Sequence, residues 1–316
     1  MYYIGVDVGG TNLVAGLVND AGAMLHKVAT PVNRALSDVE LCEEIVALAL
    51  RLCEDSGAEQ AQISAVGIGF PGLVDNGQGV VIQTPNMPFS NTDVRAAFQA
   101  RWQVPVYLGN DANCAALGEY WAGAAKGCSP AVMVTLGTGI GGGMVADGKL
   151  FTGCAGGGLE VGHVITHPNG QPCGCGNLGC WEQYGSATAL IRMTREAMQD
   201  NPTTALWQLC QGDLDRVQGR TPFQAAEMGD AVARRVLEHY IDELSVGLVG
   251  LINILQPQVI CLGGGISHAA DELLLNPLRE LAAWGSFDKT NPTRLVKATL
   301  GNDAGVVGAA LLCKAL

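Results

Sequence analysis

The sequence predicts an α/β fold made of a duplicated unit, with two lobes around a cleft, and three observations carry that prediction. Tyr2 to Val8 is an apolar, β-rich run that meets Gly9, Gly10 and Thr11, and Leu13 to Val18 then resumes the strand pattern up to the turn Asn19-Asp20-Ala21-Gly22. The same hairpin recurs far along the chain. There Ala131 to Leu136 meets Gly137, Thr138 and Gly139, and Gly141 to Ala146 runs into Asp147-Gly148. Between and after the hairpins come similar strand and helix patterns, the mark of an internally repeated α/β unit.

Taken in order, Asp38 to Cys53 has helical patterning and Ala65 to Phe70 reads as a buried strand. A strand at Val104 to Leu108 leads through Gly109-Asn110-Asp111-Ala112-Asn113 into a helix around Ala115 to Trp121. Ser186 to Met198 and Thr221 to Ile254 read as helices, and Val259 to Leu262 as a strand that runs into Gly263-Gly264-Gly265 and a following helix. Ala304 to Leu316 is an apolar helix expected to pack back on the first lobe. The lobes are expected at residues 1–110 plus 302–316 and at 111–301, with hinges near Asn110 to Leu117 and near Gly301.

Composition narrows the function. The chain of 316 residues is 48% hydrophobic, ample for a core. Its 18 basic and 30 acidic residues give a net charge of -12, so electrostatics offers no reason to bind nucleic acid or an anionic membrane. A small-molecule partner is expected. The opening Met1-Tyr2-Tyr3-Ile4 lacks the basic region of a secretory signal. The longest apolar stretch, Val246 to Leu255, is interrupted by Gly247, Gly250 and Asn253 and falls short of the roughly 20 residues needed to span a bilayer. Eleven cysteines without a signal are expected as free thiols in the cytoplasm, and Cys42, Cys53, Cys114, Cys261 and Cys313 sit in apolar patterns as small buried hydrophobes.

The chemistry lies in five motifs. At the first hairpin, Asp7-Val8-Gly9-Gly10-Thr11-Asn12 lets bare backbone N–H groups approach a phosphate, and Asp7 could face a magnesium ion there. Gly137-Thr138-Gly139 repeats this at the second hairpin, so that both would serve one nucleotide. Gly263-Gly264-Gly265 offers a third stretch of bare backbone, suited to adenosine or phosphate. Asp111, at the C-terminal end of a strand, points into the crevice where α/β proteins bind ligands and suits the base that accepts a hydroxyl proton, although Asn and Asp here also suit a helix N-cap.

The fifth motif runs from Glu160-Val161-Gly162-His163 to Cys173-Gly174-Cys175, Cys180 and Glu182. Three cysteines within eight positions and an upstream imidazole, from His163 or His167, make a Cys3His set for a structural zinc. Glu160 and Glu182 flank these ligands and would be held as acceptors for the hydroxyls of a polyol.

These residues resemble the ROK sugar kinases of the actin-like and hexokinase-like ATPase superfamily, over nearly the whole chain. Asp7 to Thr11 resembles the first phosphate motif of that superfamily, Thr135 to Gly143 the second, and Cys173 to Glu182 the ROK zinc motif. The resemblance implies ATP, magnesium and a structural zinc as cofactors, and a hexose as substrate. It implies that Asp111 is the catalytic base, that Asn110 binds sugar, and that Glu160, His163 and Glu182 contact sugar hydroxyls while His163 also ligates zinc. Gly72 and Asn86 match positions lining the same pocket, and Asn302 to Gly305 matches the family's closing segment. A homo-oligomer, dimer or tetramer, is implied as well. Gly158 to His163 and Cys180 to Tyr184 are most similar to glucokinases, which makes glucose the expected substrate over N-acetylmannosamine, N-acetylglucosamine, allose and fructose. The ROK transcriptional repressors carry a helix-turn-helix ahead of the first glycine motif, which here begins at Asp7.

Overall fold

A computed structural model describes residues 1–85, 87–290 and 292–316 of the chain. The opening β-branched and aromatic runs fold as a meander of β1 (Tyr2–Val8), β2 (Asn12–Asn19) and β3 (Met24–Pro31), each antiparallel to the one before. The Gly9 N–H closes the first turn on the Asn12 carbonyl at 3.0 Å, and the Asn19 side chain closes the second by accepting from the N–H groups of Ala21 and Ala23. Helix α1 (Asp38–Ser56) starts at a capping box between Ser37 and Glu40 and stops at Gly57, whose φ of 70° is easy only without a Cβ.

After β4 (Ile63–Phe70), a small antiparallel sheet of β5 (Leu73–Asp75), β6 (Val80–Gln83) and β7 (Ser90–Asp93) leads through α2 (Val94–Gln99) to β8 (Val106–Asn110) and α3 (Asp111–Ala122). Strands β4 and β8 add in parallel to β1, and the first five-stranded sheet has the order β3-β2-β1-β4-β8.

The second half begins with β9 (Ala131–Leu136), β10 (Ile140–Ala146) and β11 (Lys149–Leu150). It continues through α4 (Glu182–Gly185), α5 (Ala187–Asp200), α6 (Leu206–Leu209), α7 (Thr221–Glu227) and α8 (Ala231–Leu255) to β12 (Val259–Gly263). Then come α9 (Leu275–Gly285), β13 (Arg294–Lys297) and α10 (Ala304–Ala310). Its sheet has the order β11-β10-β9-β12-β13. Position by position this repeats the first sheet, with a hairpin and its third strand on one side and two later strands on the other. The expected duplication of an α/β unit is therefore present in the strand order.

The chain forms two compact units, one of Met1–Met133, Gly143–Leu159 and Ala298–Leu316, the other of Val134–Gly142 and Glu160–Lys297. In the first unit α10 packs on α3 and β1 at backbone distance. A Cβ on Gly5, Gly67, Gly118 or Gly308 would fall within 3.0 Å of the carbonyls of Val306, Ala309, Ala304 and Cys114 respectively. Below α1 the same unit buries Phe70, Phe89 and Phe98, with Phe70 and Phe89 edge to face at 5.2 Å.

Three local expectations are corrected. The helix expected at Thr221 to Ile254 is two helices, because Gly229 (φ 90°) turns the chain and the Asp230 side chain caps α8 by accepting from the Ala233 N–H at 2.9 Å. The C-terminal helix ends at Ala310 and tightens into a 3-10 turn at Leu312–Lys314, with the Ala315 carbonyl accepting from the Leu150 N–H of β11. Gly263-Gly264-Gly265 opens a 3-10 turn over Gly265–His268 rather than an α-helix. Among the described residues no helix is long and apolar enough to cross a membrane.

Candidate active site and metal centre

In the first unit the sheet register sets the site. Asp7 of β1 lies beside Gly69 of β4, which lies beside Gly109 of β8, so Asp7 and the Asn110-Asp111 corner share the C-terminal edge of three parallel strands. The Cys114 side chain covers both glycines, 3.2 and 3.0 Å from where their Cβ atoms would be. Asn110, not Asp111, is the N-cap of α3: its Oδ1 accepts from the N–H groups of Ala112 and Asn113 at 2.9 and 3.2 Å. Its Nδ2 donates to the Gly72 carbonyl at 3.1 Å. Gly72 adopts φ 99°, and a Cβ there would strike the Gln83 carbonyl. Asp111 occupies the first turn of α3, where the helix N-terminus favours a carboxylate, and its Oδ1 accepts from the Ala112 N–H at 2.8 Å.

Burial, followed by the charge of Asp111, pushes the Asp7 carboxyl up from 3.8 to about 6. A Cβ on Gly305, in the first turn of α10, would lie 3.3 Å from the Asp7 carboxyl carbon. Burial, with Asp7 and Asp111 adding to it, also holds the Cys114 thiol well above its ordinary range. The edge is thus a crowded, electronegative spot suited to a divalent cation.

A carboxyl with a higher pKa folded than unfolded binds more protons in the folded state, so its contribution to stability falls as pH rises from about 4 to about 6. Asp7→Asn removes this cost. The variant should match the wild type near pH 4 and exceed it above pH 6 by on the order of 1–2 kcal/mol, after discounting for partial exposure. Urea unfolding at both pH values measures the difference; equal gaps at the two values would contradict it.

Beside Asn110 lies a cavity of about 500 Å³ walled by Asp75 to Gly77, Leu108 and Thr152 to Gly156. Asn113 lines it, 2% exposed, with an Oδ1 that has no hydrogen-bond partner among the described residues. A buried acceptor of this kind suits a hydroxyl donor. Of the other residues expected at this site, Asn86 lies outside the described residues.

In the second unit the glycine tip of the β9–β10 hairpin is held by the start of α5. The Ala187 N–H donates to the Gly137 carbonyl at 2.9 Å and the Thr188 hydroxyl to the Thr138 carbonyl at 2.7 Å. Gly139 leans against the Glu182 carboxylate so closely that a Cβ would collide with it. Gly264 (φ 83°) lies against the backbone of Leu136, and a cavity of about 190 Å³ opens beside Gly265, lined by Arg220, Phe223, Gln224 and Ile266. Ile266 follows the turn directly in sequence, whereas Arg220, Phe223 and Gln224 reach it only because the fold brings the start of α7 there.

His163, Cys173, Cys175 and Cys180 converge, with all four candidate ligand atoms within 4.8 Å of one another. Cys175 and Cys180 sulfurs are 3.6 Å apart, and Cys173 Sγ is 3.7 Å from His163 Nδ1. Tetrahedral zinc with bonds of about 2.3 Å to sulfur and about 2.0 Å to nitrogen has edges of about 3.5–3.8 Å; these two separations match that spacing, and the whole set, within 4.8 Å, would close on the ion with small side-chain shifts. The thiols are free, and burial pushes that of Cys173 up to about 12. Of the two histidines left open by the sequence, His163 joins the cluster. His167 instead bonds Thr166 Oγ1 at 3.0 Å, approaches Glu243 at 3.2 Å and stacks on Tyr184.

Glu182 is drawn to the same centre, its Oε1 3.1 Å from Cys173 Sγ and 3.8 Å from His163 Nδ1. Glu160 is exposed, and its carbonyl accepts from the His163 N–H at 3.0 Å. Immediately before it Leu159 adopts φ 64°, a left-handed backbone that costs a non-glycine residue about 1 kcal/mol and marks a constrained position. Nothing in the sequence marked Leu159.

A model of the ROK family matches residues 3–316 of the chain. The glucokinase of Thermotoga maritima is 40% identical over 317 residues, covering 98% of this chain and 96% of that protein. A ROK family glucokinase from Streptomyces griseus, solved in complex with glucose and AMPPNP, is 34% identical with a TM-score of 0.82, covering 99% of each chain. A xylose repressor of Caldicellulosiruptor bescii is 30% identical over 90% of this chain and 70% of its own length.

Proposed function

We propose that this chain, which belongs to the ROK family, transfers the γ-phosphoryl group of ATP to a hexose hydroxyl, converting glucose to glucose 6-phosphate. The observation that carries the reading is the Asn110-Asp111 corner beside Asp7 at the edge of the first sheet. The similarity to glucokinases over nearly the full length supports the sugar.

In this reaction Asp111 accepts the proton of the attacking hydroxyl as its oxygen bonds to the γ-phosphorus and ADP leaves. Asn110, Gly72, Glu160, His163 and Glu182, with Asn86, orient the sugar. Support comes from Asn110 and Gly72 being bonded to each other, and from Glu182 being fixed beside Gly139 and Cys173. Gly9, Gly10, Thr11, Asn12, Gly137, Thr138 and Gly139 take the phosphates, and Gly263, Gly264 and Gly265 the adenosine, for which the cavity beside Gly265 leaves room.

Magnesium, held near Asp7, would neutralise charge on the transferring group. His163, Cys173, Cys175 and Cys180 would hold a zinc, and a set of four protein ligands, leaving no place for water, would give it a structural role. His163 turns Nδ1 to the sulfurs, which leaves Nε2 for a sugar hydroxyl. Free thiols throughout support a reducing compartment, the cytoplasm.

Selectivity tests the assignment. An epimer that leaves Glu160, His163 or Glu182 unpaired loses about 1.5–3 kcal/mol. Glucose should therefore exceed mannose, allose and fructose in kcat/KM by at least about tenfold in coupled assays at matched ATP and magnesium. Faster phosphorylation of an N-acetylhexosamine would keep the kinase and remove the glucokinase assignment. Sugar binding without phosphorylation would point to a regulator instead.

A further inference from the structure

A nucleotide triphosphate brings several negative charges to a chain of net charge -12, onto an edge that already holds Asp7 and Asp111. The glycine motifs contribute backbone N–H groups but no cationic side chain. The first hairpin nevertheless has a cation beside it. Strand β3 runs back along β2, pairing Pro31 with Asn12, and the Val32 N–H donates to the Thr11 carbonyl at 2.9 Å. This brings the chain leaving β3 alongside the hairpin tip, and Arg34 reaches over it. Its Nη2 and Nε donate to the Gly10 carbonyl at 2.8 and 3.3 Å. Among the described residues Arg34 is the one cationic side chain hydrogen-bonded to the tip between Asp7 and Asn12.

We infer that Arg34 is a nucleotide-binding residue, whose guanidinium contacts the phosphates of ATP held at the first hairpin. This rests on the reading of that hairpin as a phosphate site. A guanidinium has five N–H donors in a planar fork, and the two bonded to Gly10 fix its plane while leaving the others for phosphate oxygens. The bond to Gly10 also orders the side chain in advance, which lessens the entropy lost on binding. Because Arg34 is exposed, replacing it removes little packing.

Nucleotide binding to the zinc-loaded protein, measured by calorimetry, tests the inference without depending on the sugar. Arg34→Gln should weaken Mg·AMPPNP binding, and lower kcat/KM for ATP, by roughly ten- to a hundredfold, the loss expected for a hydrogen bond between charged groups. Binding of adenosine, KM for the sugar, metal content and melting temperature should stay unchanged, and Arg34→Lys should recover part of the affinity. Unchanged Mg·AMPPNP binding in Arg34→Gln would overturn the inference. So would equal weakening of adenosine and Mg·AMPPNP, because that pattern means Arg34 only pins the Gly10 peptide. If the wild type bound no Mg·AMPPNP, the nucleotide reading would fall and this inference with it.

Discussion

Asp111→Asn is expected to lower kcat by about 10²-fold or more while sugar binding largely survives. The substitution keeps the shape of the side chain and an acceptor for the Ala112 N–H, which Asp111 Oδ1 holds at 2.8 Å. The α3 cap is untouched, because it comes from Asn110. What disappears is the only form of the side chain able to accept a proton, so the loss falls on the transition state and not on the ground-state complex. Removing the negative charge next to Asp7 should also let the Asp7 pKa fall, since Asp111 is one of the two causes that raise it. Steady-state kinetics with glucose and ATP checks the first point. A variant with near-normal kcat would remove Asp111 from the mechanism.

The second large effect concerns the metal loop. Purified, fully reduced protein should contain one zinc per chain, and Cys175→Ser should lose it, with a stability loss of at least about 2 kcal/mol. Cys175 suits the test because it is exposed, whereas Cys173 and Cys180 are buried and their removal would also cost packing. Loss of the ion should reach the sugar through Glu182, which touches Cys173 Sγ at 3.1 Å, so KM for the sugar should rise along with the drop in stability. Metal analysis and thermal unfolding of both proteins decide it. Zinc-free wild-type protein of normal stability would overturn the assignment.

The fold class was legible because duplication leaves the same glycine-ended hairpin twice, at Gly9-Gly10 and at Gly137 to Gly139, and strands of this type are signalled by local residue runs. The break between α7 and α8 was not. Apolar residues keep helical spacing across it, and the event that decides it is a single Gly229 followed by the Asp230 cap. At the site, cysteine spacing pointed to a metal loop, but the choice between His163 and His167 depends on how Gly179 (φ 80°) folds the loop back. A Cβ there would overlap the His167 carbonyl. Asn110 shows the converse limit. Its cap of α3 is a local pattern, whereas its bond to Gly72 spans 38 positions and exists only in the folded sheet. Arg34 beside Gly10, and Phe223 and Gln224 beside Gly265, share that dependence on contacts made only in the fold.

Phosphoryl transfer to glucose is tested by analysis of its products. Purified zinc-loaded protein given Mg·ATP with and without glucose, followed by ³¹P NMR, should yield ADP and glucose 6-phosphate in equal amounts only when glucose is present. ADP accumulating at the same rate with and without glucose, with no phosphorylated sugar in the spectrum, would exclude glucose as the acceptor.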